Sequence, residues 1–346
     1  HTISCKTHRQ YTSQNHTTMS SPCPLRIPTI DMLNPDKAAL CAAARDLGFF
    51  QITNHGLDVD LSLSAAKDFF SLPKEEKLKY PLIPGWNGEL MRGYASLGSE
   101  SADVANNSLT KTAQIDLMES FQVSDPKFTG EDQFPTEDMR AALPALYSAM
   151  SDVTRTLLDY LDEGLPESNS GSFSKNHCGR SRSIVRVTKY PALKDSSVTN
   201  LVGTGDRNSS DGSSASTKVS RISAHRDLGT LTILKQDAQG GLEVQDPNDD
   251  NNWVPVPPVE GALVINIGNL LQRWTAGYYR SSIHRVQATR GTKHDNEDRW
   301  SVIMFSNADD DFDVVPLPCC VGRGGEGVMI QEGVNVRAYM NCKMKQ

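Results

Sequence analysis

Seven short segments crowd the second half of the chain and restrict what it can fold into. "SIVRVTKY" (183–190), "GTLTILKQ" (229–236), "GLEVQD" (241–246), "NWVPV" (252–256), "ALVINI" (262–267), "SSIHRVQA" (281–288) and "RWSVIMFS" (299–306) are β-branched or alternating runs divided by Gly, Pro, Asn and Asp. Runs so short and so closely spaced predict antiparallel strands folded into a sandwich, barrel or jelly roll.

The front half reads differently. "LRIPTIDM" (25–32) is strand-like, and "NPDKAALCAAARDLG" (34–48) is an alanine-rich helix opened at Asn34-Pro35 and stopped by Gly48. "FFQITNHG" (49–56) predicts a strand ending in a turn, and "DLSLSAAKDFFSL" (60–72) a helix stopping near Pro73. A longer helical pattern covers 137–164, where Pro144 should sit near the start or kink it. The fold class expected is therefore α+β, mainly β. Residues 1–20 are polar and aperiodic and read as a disordered or non-native extension, and the Ser- and Gly-rich stretch 195–220 as a flexible surface loop.

Composition narrows the function. The 346 residues carry 35 basic and 42 acidic side chains, a net charge of −7 with no basic block, which argues against a nucleic-acid partner. No apolar stretch approaches the ~18–20 residues needed to span a bilayer, and no secretory apolar run is present, so a soluble, cytoplasmic protein is expected. Seven cysteines without a C-x-x-C pair fit free thiols in a reducing compartment.

"SAHRDLGTLTIL" (223–234) begins like a protein-kinase catalytic loop. The asparagine that loop requires is Thr232 here, no D-F-G follows, and the one G-x-G-x-x-G (322–327) lies downstream, where a glycine-rich turn explains it better. Instead, Thr230, Thr232 and Leu234 alternate with Leu231 and Ile233 in a strand's period. On an extended chain His225 and Asp227 would project to one face while Arg226 points away.

Alone, this H-x-D is a turn or a solvated pair. His284, 57 residues beyond Asp227 in another strand-like run, supplies a third donor. Two imidazoles and one carboxylate on one side of an ion leave positions open, which suits a non-haem Fe(II) oxygenase. Arg299 and Ser301 share a strand face in "RWSVIMFS", while Trp300, Val302 and Met304 fill the other. A guanidinium with a neighbouring hydroxyl suits a carboxylate, and a buried arginine needs an anionic partner, whether a ligand or an internal acid. Arg186, Thr188 and Tyr190 likewise share a face. His1, His8, His16, His55, His177 and His294 show no link to this set; His55 in "NHG" reads as a turn stabiliser.

His225-x-Asp227, His284 and Arg299-x-Ser301, in this order, resemble the signature of the Fe(II)/2-oxoglutarate-dependent dioxygenases of the isopenicillin N synthase-like family. "GFFQITNHG" (48–56), "DFFSLPKEEK" (68–77) and "RGYASLG" (92–98) are similar to that family's N-terminal region. The resemblance covers about residues 25–310. It implies a double-stranded β-helix (jelly-roll) core at 180–316, an N-terminal helical region at 25–170 and a C-terminal extension at 317–346. It further implies Fe(II) on His225, Asp227 and His284, with O2 and 2-oxoglutarate as co-substrates. The distal carboxylate of 2-oxoglutarate would lie on Arg299 and Ser301, with Tyr190 and Thr188 nearby. Thr188 stands where the family often has asparagine, and the chain between His284 and Arg299 is longer than usual. The implied reaction oxidises a small organic metabolite by hydroxylation, desaturation or ring rearrangement and releases succinate and CO2. Two rivals remain: an iron oxidase of the same family that does not use 2-oxoglutarate, and a catalytically silent jelly roll that only binds. Oligomeric state is not readable from the sequence.

Overall fold

Both strands expected in the front half form, and two more join them. A computed structural model describes residues 26–83, 90–100, 116–129, 134–195, 218–289, 296–325 and 332–344. Its front half supplies β1 (Thr29–Asp31), β2 (Phe49–Thr53), β3 (Gly93–Ala95) and β4 (Glu119–Ser124). Neither β3 nor β4 was anticipated: "ESFQVS" holds only two apolar residues, Phe121 and Val123, yet it is buried along its whole length. The seven expected runs all form strands: β5 (Ile184–Tyr190), then, after an unanticipated β6 (Lys218–His225), β7 (Leu231–Gln236), β8 (Leu242–Asp246), β9 (Asp249–Pro255), β10 (Leu263–Ile267), β11 (His284–Thr289) and β12 (Arg299–Ser306). Residues 218–220, expected in the Ser-rich loop, are the first turn-free residues of β6. The rest of that loop past residue 195, the 1–20 extension and His294 lie outside the described residues.

Two sheets result. The larger runs β1-β2-β10-β7-β12-β5-β4-β3 and the smaller β6-β11-β8-β9, the facing pair of a jelly roll. Between them packs an apolar layer that includes Leu234, Val244, Val254, Val264, Val286 and Ile303. The opposite face of the large sheet presents Val185, Val187, Ile233, Leu263, Val302 and Met304 to the helices. Since both faces of the central strands are covered, β10 is buried at every position, and its sequence is almost wholly apolar.

The helices fold for local reasons. In α1 (Lys37–Asp46) the cap is Asp36, whose carboxylate accepts the Ala39 N–H at 2.9 Å, rather than the expected Asn34. Gly48 then turns the chain into β2 at φ +73°, where a Cβ would stand 2.1 Å from the Arg280 carbonyl oxygen. α2 (Val59–Phe70) buries Ala65, Ala66, Phe69 and Phe70, and α3 (Lys74–Lys77) is a single turn after Pro73.

The long helix α4 (Glu137–Glu163) is capped by Thr136, with Glu137 and Asp138 favourably placed against its positive N-terminal end. Its buried residues, among them Met139, Leu143, Leu146, Met150, Leu157 and Leu161, recur at three- and four-residue steps and make one stripe against α2 and the sheet. Pro144 lies in the third turn rather than at the start, and the helix continues through it. A short α5 (Asn269–Trp274) follows β10, and β13 (Asp313–Val314), β14 (Val334–Asn335) and α6 (Val336–Met344) close the chain. No described helix is long and apolar enough to cross a membrane.

Candidate active site

His225 ends β6, His284 begins β11, and the two are direct partners in the antiparallel ladder. Strand pairing therefore brings together two imidazoles that are distant in the chain, with ring centroids 4.3 Å apart. Asp227 is not on a strand, contrary to the expectation from alternation. β6 stops at His225, and Asp227 sits in the connection to β7, where its carbonyl accepts the Asn269 N–H of α5 at 2.8 Å. Its Oδ1 still reaches both rings, 3.5 Å from His225 Nε2 and 3.7 Å from His284 Nε2. Among the described residues, His225, Asp227 and His284 form a group whose donor atoms could hold a metal ion.

The surroundings aim these donors. His225 Nδ1 lies 2.8 Å from the Ser223 carbonyl and His284 Nδ1 3.2 Å from that of Ser282. A carbonyl only accepts, so each Nδ1 carries the proton and each Nε2 offers a lone pair. Asp227 Oδ2 accepts from the Thr232 hydroxyl at 2.5 Å and the Asn266 amide at 2.7 Å, leaving Oδ1 for the imidazole side. Burial alone would raise the Asp227 carboxyl, but His284, His225 and Thr232 outweigh it and hold it well below the usual carboxylate range. Burial, with the neighbouring His225, pushes His284 down to about 4; in His225 burial is outweighed by Asp227, and the ring is raised. One anionic oxygen and two outward lone pairs converging on one point fit a ferrous ion. Phe49 packs edge-on against His284 at 5.4 Å and fixes that ring from behind.

Thr232 and Asn266 were not anticipated as site residues. They are directly opposite each other on β7 and β10. The sequence held one signal: Asn266 is the lone amide in the buried run "ALVINI".

Deeper in the barrel, Tyr190 is the ladder partner of Arg299, and Thr188 of Ser301. Arg299 is 2 % exposed; its Nε donates to the Gly240 carbonyl at 2.8 Å, while Nη1 and Nη2 are buried with no hydrogen-bond partner among the described residues. Its guanidinium lies 4.7 Å from the Tyr190 ring centroid. Ser301 Oγ is 3.5 Å from Tyr190 Oη, and the buried Thr188 hydroxyl has no partner among the described residues. Among the described residues, no internal acid pairs with Arg299. Such an unpaired buried cation calls for an anionic ligand.

The two other described histidines stay apart. His55 accepts from the Leu57 N–H and reaches the Gly261 carbonyl at 3.2 Å, a turn role as expected. His177 bridges the Phe173 carbonyl and the Thr230 hydroxyl. It lines a polar cavity of about 220 Å³ between α4 and β12, bounded also by Tyr147, Thr154, Ser183 and Asn307, on the side of the sheet away from the triad.

A jelly roll that gathers two histidines and one carboxylate on its inner surface defines a mononuclear non-haem oxygenase scaffold. Comparison with known proteins makes the assignment specific. The family model of the 2OG-Fe(II) oxygenase superfamily matches residues 183–308, and that described as non-haem dioxygenase in morphine synthesis, N-terminal, matches 27–139. The chain is 31 % identical over 321 residues to the proline hydroxylase buaE of Petromyces alliaceus, covering 89 % of this chain and 92 % of that protein. It is also 31 % identical over 309 residues to feruloyl CoA ortho-hydroxylase 1 of Arabidopsis thaliana, covering 87 % and 75 %. The crystal structure of Neurospora crassa T7H in complex with alpha-KG and thymine superposes with a TM-score of 0.72 at 23 % identity, over 94 % of this chain and 98 % of that one. The chain belongs to the 2OG-Fe(II) oxygenase superfamily and is a 2-oxoglutarate-dependent dioxygenase, an oxidoreductase that works with Fe(II).

Proposed function

We propose that His225, Asp227 and His284 hold the ferrous ion and that Arg299 and Ser301 grip the distal carboxylate of 2-oxoglutarate, with Tyr190 and Thr188 lining its path. The observation that carries this reading is the pairing of a convergent donor triad with a buried, unpaired guanidinium inside one barrel. On β12, Phe305 stands opposite Thr232, which bonds Asp227, and Ser301 stands opposite Gln236. Four residues of strand separate the two levels, roughly 13 Å. A five-carbon dicarboxylate and the side chains at each end can bridge that span.

When bound, the iron supplies the redox chemistry that couples loss of CO2 from the 2-oxo acid to oxidation of a C–H bond. The balance is one 2-oxoglutarate, one O2 and one R–H giving succinate, CO2 and R–OH when the outcome is hydroxylation. The chain's own residues position the reactants. Thr232 and Asn266 keep the Asp227 carboxylate turned toward the imidazoles, and the carbonyls of Ser223 and Ser282 keep both rings in the ligating tautomer. Arg299 and Ser301 orient the dicarboxylate from its far end. The substrate is a small organic metabolite.

The test is an anaerobic Fe(II) titration combined with measurement of succinate formed per O2 consumed. Wild-type protein should bind one ion and release succinate in proportion to turnover; Asp227→Ala should do neither. Turnover without succinate would favour the oxidase rival, and undiminished iron binding by Asp227→Ala would remove that residue from the centre.

A further inference from the structure

A second buried guanidinium stands beside Arg299. Arg221 is 2 % exposed and lies 5.9 Å from the centroid of the Tyr190 ring, so both arginines flank the same phenol. Its Nε and Nη1 are buried without a hydrogen-bond partner among the described residues. The local backbone is built to place it there. The β6–β11 ladder slips between Val286 and Gln287, which pair with Ile222 and Ser220, so Arg221 has no partner in the register. Its carbonyl instead accepts the Leu117 N–H at 3.2 Å. Bulges of this kind re-aim a side chain, and they concentrate beside active sites.

The charge is costly where it stands. Burial and the neighbouring Arg299 pull the Arg221 guanidinium down to about 10. The acids that partly offset this, Asp237 and Asp298, are engaged elsewhere: Asp237 accepts the Trp300 and Gln239 N–H groups, while Asp298 accepts the Ala192 N–H and pairs with Lys189. Two like charges beside one ring, with four unpaired nitrogens between them, require an anion with more than one free oxygen.

We propose that Arg221 is a second anion-binding residue of the co-substrate pocket, sharing the distal carboxylate of 2-oxoglutarate with Arg299. The inference rests on the assignment of that carboxylate to Arg299 and Ser301. It makes Arg221 a determinant of co-substrate choice: a 2-oxo acid of equal length ending in a methyl group would leave both guanidinium groups unpaired.

The experiment is calorimetric titration of the full chain loaded with Mn(II), using 2-oxoglutarate and 2-oxopentanoate as probes, on wild type, Arg221→Met, Arg221→Lys and Arg299→Met. Arg221→Met should weaken 2-oxoglutarate at least tenfold and leave 2-oxopentanoate within threefold, with Arg221→Lys recovering part of the loss. The metal-free Arg221→Met protein should melt no lower than wild type, because the substitution removes an unpaired charge. Unchanged 2-oxoglutarate affinity, an equal loss for both acids, or a markedly lower melting temperature would each overturn the proposal. If Arg299→Met loses affinity while Arg221→Met does not, only the role of Arg221 fails. If neither variant loses affinity, the assignment of the pocket fails with it.

Discussion

Removing the two donors on Asp227 Oδ2 should weaken metal binding without touching a metal ligand. Thr232→Val and Asn266→Leu each delete one of the bonds that hold the carboxylate, at 2.5 and 2.7 Å. Hydrogen bonds to a charged group contribute about 1.5–3 kcal/mol. Loss of such an outer partner typically costs about 10–100-fold in metal affinity. With two donors on one oxygen, either single variant leaves the carboxylate tethered, so each should cost about tenfold, or about 1.4 kcal/mol. The double variant leaves Oδ2 buried and bare, free to turn away from the imidazoles, and should cost about a hundredfold or more. The backbone ladder between β7 and β10 at these positions uses main-chain groups, so both substitutions preserve it. Calorimetric titration with Mn(II), paired with urea denaturation to verify folding, reads the effect. A folded double variant that binds Mn(II) within threefold of wild type would refute the argument that carboxylate orientation governs the site.

Two further outcomes follow from the fold. Burial holds His177 down to about 4, against about 6.5 in an unfolded chain, so the native state binds fewer protons over that interval. Its stabilisation is complete above pH 6.5 and is lost as pH falls toward 4, on the order of 2 kcal/mol for a partly exposed ring; His177→Gln should flatten the urea midpoint between pH 7 and 5, and parallel profiles would exclude it. Lys77 and Glu119 form a buried ion pair at 2.7 Å, which Tyr94 joins through its hydroxyl. Lys77→Met leaves the Glu119 carboxylate with only the Tyr94 hydroxyl and the more distant Lys189, 3.6 Å away, and should destabilise the fold by about 2 kcal/mol, whereas adding Glu119→Gln should recover part of that loss, both measured by chemical denaturation.

Much of the site was legible because its residues lie on strands whose alternation shows in the letters. Arg299 and Ser301 were placed on one face by a two-residue period, and β12 does turn Trp300, Val302 and Met304 to the helices. The same rule misplaced Asp227 on a strand; its carboxylate reaches the two imidazoles from a turn held by α5. Arg221 carried no sequence signal, since a bulge breaks the period that would have assigned its face. β3 and β4 were missed because polar residues such as Ser120 and Gln122, both fully buried, face the interior of the barrel.

What the sequence determined by itself was the inventory: apolar runs of strand length, two histidines and a carboxylate in order, and an arginine in a run too apolar to expose it. Those follow from side-chain period and solubility, which are local properties. Only the tertiary structure decided which atoms meet. The pairing of β6 with β11 sets His225 against His284, the closure of β7 on β10 puts two donors on one carboxylate oxygen, and a slip in one ladder delivers a second guanidinium beside the first. Register is a property of whole sheets, fixed by the sum of many cross-strand contacts, so no single stretch of the chain can specify it.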